Sequence, residues 1–513
     1  METQGVMVCY YGSWAVYRPG DGMFDVEDID PNLCTHLIFG FAGLGSNNKI
    51  KVLDPWNELC DDYGLCAFDR FTALKKKNTN LVTILAVGGW NEGSTKYSHM
   101  ASSAASRKTF VDSAIKLLKD HDFDGLDMDW EYPTQRGGNP EDRANFVLLL
   151  KDLKEALHAN GMMLTAAVSA GKGTIDEAYD IPGIAQHLDM ANLMTYDMHG
   201  DWDPYTHHQS GLYAHPDDTG DNVYFNQPHS INANNNNNNN VSHLYSAGQV
   251  ISRQVFAAKT LAEPCLTCNE KERGVMYYFL QDFAVRYWLD NGFPAEKLTQ
   301  GVPLYGRCWT LDSADQHGFY APAHQPGPGG KYTEEPGMLG YNEICEGILD
   351  GWTVVHDPAM HEPYVYSLKH GNVWCSYDDE PSAKLKAEYA KEKGLAGMMV
   401  WSIDTDDFKG KCGRKFALIK TLVETFTGNV ITPGPTLPPT TRDPDATTTE
   451  KVTRPPTPPP DDVCKAPGIN ADPDNCHHYW LCSIVRVCVC VCVCVNIINI
   501  HNNEEKNNHR IRA

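Results

Sequence analysis

The chain has 513 residues, 42% of them hydrophobic and 21% charged, enough apolar material for one large core with room for a smaller second module. A formal net charge of −23 repels phosphate backbones and anionic headgroups, which excludes nucleic acid and membrane surfaces as principal partners and favours a neutral or cationic ligand. No run approaches the roughly 20 apolar residues that span a bilayer, and no charged-then-apolar leader precedes residue 6, so a leader is expected to be missing or the chain to begin internally.

Short β-rich apolar runs recur at residues 6–11, 36–41, 81–87, 123–129, 163–168, 191–196, 298–304 and 396–401. Amphipathic stretches lie between them, among them 102–121, 141–160 and 382–393. Strand and helix alternating in this way predict a parallel sheet with right-handed crossovers, and eight units predict an α/β fold of the (β/α)8 barrel type. The barrel domain is expected over 1–428. Residues 308–375 are too many for a βα loop and are rich in Gly, Tyr and Trp, which predicts an inserted α+β lobe. Eight cysteines in the barrel segment, at 9, 34, 60, 66, 308, 345, 375 and 412, form an even set without zinc-type spacing, and disulfides in an oxidising, extracellular compartment are expected.

Residues 429–463 turn to Thr and Pro, the composition of an extended spacer, and a short cysteine cluster follows at 464–482. Two segments do not read as selected protein sequence. Residues 228–281 contain seven consecutive asparagines, and the tail at 483–513 includes a strict Val-Cys alternation, which is what a repeated GT dinucleotide encodes. Both are expected to be read-through of non-coding sequence. Joining Asn226-Gln227 directly to Asp282-Phe283 restores a loop of ordinary length.

The chemistry concentrates in the fourth run, FDGLDMDWEYP, where Asp127, Asp129 and Glu131 occupy every second position and therefore share one strand face, the barrel interior. Three acids stacked inside a barrel repel one another and are costly to desolvate, so a purely structural role is disfavoured. Glu131 lies nearest the C-terminal mouth, where barrel active sites sit, and its neighbours help to keep it protonated as a general acid.

DGLDMDWE resembles the DxxDxDxE signature of family 18 glycoside hydrolases, the chitinases. LAVGGW (85–90), MTYDMHGDW (194–202), PLYGR (303–307) and MVWSIDTDD (399–407) resemble the family's third, sixth, seventh and eighth strand motifs, and the likeness is closest to arthropod-type chitinases. The resemblance implies endo-type hydrolysis of β-1,4 N-acetylglucosamine linkages with retention, assisted by the substrate's own acetamide. Glu131 would protonate the glycosidic oxygen and later act as base, Asp129 would orient the acetamide and share a proton with Asp127, and Tyr196 would hydrogen-bond the acetamide carbonyl, with Met194 and Asp197 shaping the same pocket. Aromatic faces pack against sugar C–H groups. Trp401 would form the floor, Trp14, Trp90 and Trp202 would line neighbouring subsites, Tyr10 and Phe41 would add to the floor, and Tyr305 and Arg307 would contribute hydrogen bonds. The resemblance also implies disulfides Cys9–Cys34 and Cys345–Cys412, with Cys60–Cys66 and Cys308–Cys375 as the remaining pairs.

The cluster CKAPGINADPDNCHHYWLC (464–482) resembles the first half of a peritrophin-type chitin-binding domain; without its second half it is expected not to fold, which leaves Tyr479 and Trp480 doubtful binders. His199 and His207-His208 lack a matching acid or cysteine set and are expected as solvated loop histidines, so no metal and no cofactor is called for. The expected partners are chitin and chitooligosaccharides, and a monomer is expected. The alternative is a non-catalytic chitin-binding lectin on the same barrel; a retaining glycosidase with its own nucleophile would have Asp197 as candidate.

Overall fold

The computed structural model describes residues 5–218 and 280–428, together with three short strands beyond residue 467. Eight strands form its centre: β1 (Val6–Gly12), β2 (His36–Leu44), β3 (Val82–Gly88), β4 (Gly125–Asp129), β5 (Met163–Ser169), β6 (Met190–Met194), β7 (Leu298–Pro303) and β8 (Gly397–Trp401). Each pairs in parallel with the next, and β1 pairs with both β2 and β8, which closes the sheet. The expected (β/α)8 barrel is the observed fold. The bounds shift by one to three residues from expectation, and one shift matters for the site: β6 stops at Met194, so Tyr196 lies on the loop beyond it.

The two faces of each strand differ, as the period of two requires. Cys9, Tyr11, Leu37, Phe39, Leu85, Val87, Leu126 and Met128 point outward into the large core beneath the helices. Val8, Tyr10, Ile38, Ile84, Ala86, Met190 and Met399 fill the barrel itself. With Leu126 and Met128 outward, Asp127 and Asp129 face inward. The covering helices include α1 (Ala104–Asp120), α2 (Asp142–His158), α3 (Leu280–Asp290) and α4 (Glu380–Glu392). The stripe Phe110, Val111, Ala114 and Leu118 of α1 is buried, the i, i+4, i+8 spacing of a helix lying on a sheet. Ser103 caps α1 by accepting from the Ser106 N–H, and Asp379 caps α4 in a reciprocal box with Ser382.

The lobe begins at Tyr305, a few residues before the expected start. Its central strand Tyr305–Thr310 pairs antiparallel with Gln325–Pro326, Met338–Gly340 and Val373–Ser376, and the sheet continues through Pro363–Ser367 to Thr353–His356. Helix Tyr341–Leu349 covers one face around Leu339, Ile344 and Val365, while Trp309, Tyr364 and Trp374 pack on the other. All four expected disulfides are present, Cys9–Cys34, Cys60–Cys66, Cys308–Cys375 and Cys345–Cys412. Among the described residues no helix is long and apolar enough to cross a membrane.

The chain divides into compact units 1–435 and 436–513. In the second, where an unfolded remnant is expected, strands Gly468–Ala471, Tyr479–Cys482 and Cys488–Val491 pair as an antiparallel sheet, the third drawn from the Val-Cys run. The asparagine run and the rest of 228–279, the 429–463 spacer and the remainder of the tail lie outside the described residues.

Candidate active site

Asp127 is fully buried and both its oxygens are occupied. Tyr10 Oη donates to Oδ2 at 2.8 Å; Thr165 Oγ1 and Asn192 Nδ2 donate to Oδ1 at 2.5 and 3.3 Å. One layer nearer the mouth, Asp129 is 4% exposed and its Oδ1 has no hydrogen-bond partner among the described residues. An orphaned buried carboxylate oxygen is expensive, and such exceptions in native folds point to function. Three donors occupy Asp127, and no hydrogen bond joins it to Asp129 among the described residues.

Burial, then the charges of Glu131 and Asp127, hold the Asp129 carboxyl well above the usual range. Burial raises Asp127 to about 6 against the pull of its three donors. Glu131 is partly exposed at the mouth and raised to about 7, chiefly by desolvation and also by Asp197, while Tyr132 and Arg136 act against the rise. The three carboxyls therefore titrate as an interacting set in which Glu131 keeps its proton near neutrality.

Local backbone makes this packing possible. Gly88, at φ +126°, ends β3 against the Asp129 carbonyl; a Cβ there would lie 1.9 Å from that oxygen. The register of β2 against β3 shifts between Phe39 and Ala42, which turns Phe41 into the barrel and stacks it on Trp401 at 5.5 Å. Gly301 leaves room for the Tyr196 ring, which a Cβ would meet at 2.9 Å.

Among the described residues the Tyr196 hydroxyl faces only the weak acceptor Met399 Sδ at 3.7 Å. Beside it Asp197, at φ +57°, takes a bidentate pair from Arg307 Nε and Nη2, each 2.7 Å long, and the Tyr305 Oη–H at 2.6 Å. Tyr305 and Arg307, expected to hydrogen-bond a ligand, are thus turned onto Asp197, and the first strand of the lobe orients the loop that carries Tyr196. Met194 lies half-buried in the same interior cluster.

The aromatic residues assemble unevenly. Trp401 lies 6.1 Å from Trp14, and Trp14 stacks on Phe41 at 6.2 Å, so these three rings form one continuous surface; Tyr10, expected to add to the floor, is instead buried beneath Trp401 at 5.5 Å with its hydroxyl turned onto Asp127. Trp14 is 43% and Trp90 51% exposed, as platforms require. Trp90 has the Arg136 guanidinium 3.5 Å above its ring, donating to the Trp90 carbonyl at 2.7 Å and the Glu131 carbonyl at 3.0 Å. Trp202 is half-buried near Arg307.

The chain as a whole has counterparts among known proteins. The family model described as glycosyl hydrolases family 18 matches residues 6–250 and 266–406. The chain belongs to that family. This family 18 chain is 39% identical over 419 residues to "Probable chitinase 2" of Drosophila melanogaster, covering 79% of this chain and 73% of the relative. The Ostrinia furnacalis Group IV chitinase, solved in complex with allosamidin, superposes with a TM-score of 0.69 at 36% identity, covering 83% of this chain and 99% of that one. Human YKL-39, described as a pseudo-chitinase with retained chitooligosaccharide binding, superposes at 0.66 and 32% identity over 83% of this chain and all of that one.

The histidines correct the sequence reading. His199, His207 and His208 are at most 2% exposed, not solvated: His199 and His207 are hydrogen-bonded to Asp203 and Asp218, while His208 lies beside Glu362 with neither ring nitrogen hydrogen-bonded among the described residues. Sequence reasoning missed Thr165, Asn192 and Arg136. The first two carried a legible signal, a polar side chain at an inward position of an apolar strand; Arg136 carried none, because only the folded loop brings it over Trp90.

Proposed function

We propose that the chain is a chitinase that cleaves β-1,4 N-acetylglucosamine linkages with retention, the substrate's acetamide acting as nucleophile and Glu131 as acid and then base. Asp129 Oδ1, without a hydrogen-bond partner among the described residues, lies between Asp127, saturated with donors, and Glu131, whose proton is held up to about 7; this carries the reading. It offers an acceptor for an acetamide N–H, whose carbonyl would receive the Tyr196 hydroxyl and attack the anomeric carbon. Glu131 gives its proton to the leaving oxygen, the C–O bond breaks, an oxazolinium ion forms, and water activated by Glu131 opens it. Asp197, the candidate for a protein nucleophile, has both oxygens engaged by Arg307, which supports the substrate-assisted course. The surface of Trp401, Phe41 and Trp14 would take successive sugar faces.

The relatives' names and the Ostrinia furnacalis inhibitor complex support chitin-type ligands. Four disulfides support an extracellular site of action. Likeness to YKL-39 keeps the lectin as the second reading. Hydrolysis of a fluorogenic N-acetylchitooligosaccharide by the chain and by Glu131→Gln decides between them. Turnover lowered about 10²–10⁴-fold in the variant, with binding retained, is the expected result; absence of turnover in both, with binding intact, establishes the lectin.

A further inference from the structure

Asn192 is a fully buried amide on β6, and it touches both Asp127 of the ladder and Tyr10, itself a donor to Asp127. Its Nδ2 donates to Tyr10 Oη at 3.1 Å and to Asp127 Oδ1 at 3.3 Å. Its Oδ1 accepts from Thr299 Oγ1 on β7 at 2.9 Å, and Thr299 is itself fully buried. The Asp127 carboxylate decides which way the amide faces, because an amide flipped by 180° would set its oxygen against a group that only accepts; Thr299 supports the same orientation by donating to Oδ1. The ionisable groups around this point are Tyr10 on β1, Asp129 on β4 and Tyr196 beyond β6, none of them cationic.

We infer that Asn192 and Thr299 are a positioning pair that keeps the charge of the acid ladder on Asp127, so that the ladder's proton resides on Asp129 and Glu131, next to the substrate. Three donors converge on Asp127, and among the described residues its hydrogen-bond partners are donors alone. A neutral amide cannot itself titrate, so the arrangement holds across the working pH range. Asp127 supplies a negative charge one layer below the position of the developing oxazolinium ion, without competing with Glu131 for the role of acid. The inference deepens the proposed mechanism and rests on it for its catalytic meaning, but the placement of charge is testable without turnover.

The test compares the full chain with Asn192→Leu, Thr299→Val and Thr299→Ser in two measurements, melting temperature from pH 4 to 8 and kcat/KM over the same range. Removing a donor raises the Asp127 pKa, a shift of about one unit for a charge-assisted hydrogen bond. The pH window in which stability falls, between the unfolded carboxyl value and the folded Asp127 value, then extends upward by about one unit in Asn192→Leu, and by less in Thr299→Val. The acid limb of kcat/KM moves in the same direction. Thr299→Ser retains the hydroxyl and restores the wild-type profile. A uniform loss of melting temperature with unmoved pH dependence in both Asn192→Leu and Thr299→Val overturns the inference and makes the pair ordinary packing. If the wild-type chain shows no turnover, the mechanism fails, and the melting profiles still decide where the charge sits.

Discussion

At the scale of single residues, the site is governed by how burial and hydrogen bonds separate three chemically similar carboxyls. Asp127 is supplied with donors on both oxygens, Asp129 has an oxygen with none, and Glu131 is raised to about 7 mainly by desolvation. Catalysis needs Glu131 protonated in the first step, so kcat/KM is expected to fall as pH rises through about 7. A carboxyl whose folded pKa is raised also holds more protons in the fold than in the unfolded chain, and stability declines over the window from about 4.5 to 7. Pre-steady and steady-state rates from pH 4 to 9 check the first statement; a profile flat to pH 9 would remove Glu131 from the role of acid. The alternation of Asp127, Asp129 and Glu131 was readable directly, since a strand's period is two. The identity of their partners was not, because Tyr10, Thr165 and Asn192 come from three other strands and meet Asp127 only when the barrel closes.

Among elements, the lobe is more than an appendage to β7. Its first strand carries Tyr305 and Arg307, which clamp Asp197 and so orient the loop of Tyr196. Beneath it residues 206–210, Thr-His-His-Gln-Ser, are fully buried despite being polar. They are accommodated because Gln209 donates to the Tyr305 carbonyl at 2.6 Å and Ser210 reaches Glu362 and Asp378. A polar stretch between two strands reads as a solvated loop; that a sheet would settle on top of it is a tertiary fact. The disulfides act on elements through the loops they close. Cys345–Cys412 spans 67 residues and Cys60–Cys66 spans 6. Replacing the first pair by alanine is expected to cost about 4 kcal/mol and the second about 2 kcal/mol, from the chain entropy released. Denaturant unfolding of the two double variants measures both, and an equal cost would show that local contacts rather than loop length set the effect.

For the whole molecule, the decisive question is whether residues 228–281 belong to the folded protein. The structure defines what must occupy the position before Asp282: Gln281 is buried, donates to the Thr195 carbonyl at 2.6 Å and accepts from Gln300 Nε2 at 2.7 Å. Deleting 228–281 places Gln227 directly before Asp282, so the same side chain is supplied to the same partners. The deleted chain is therefore expected to fold, to melt no lower than the full chain, and to keep or raise its turnover of a chitooligosaccharide substrate. Loss of folding on deletion, followed by circular dichroism and melting, would establish the segment as part of the native structure. By itself the sequence determined the barrel, the inward face of the acid ladder and the order of the motifs, because these follow from short periods along the chain and from residue types that are costly to bury without purpose. Only the tertiary structure decided that Asp127 is the saturated acid, that Asp197 is held by the lobe, that Phe41 turns inward at a register shift and that three histidines are buried. Each of these depends on which side chains from distant strands and loops arrive at the same point, and no local pattern encodes that convergence.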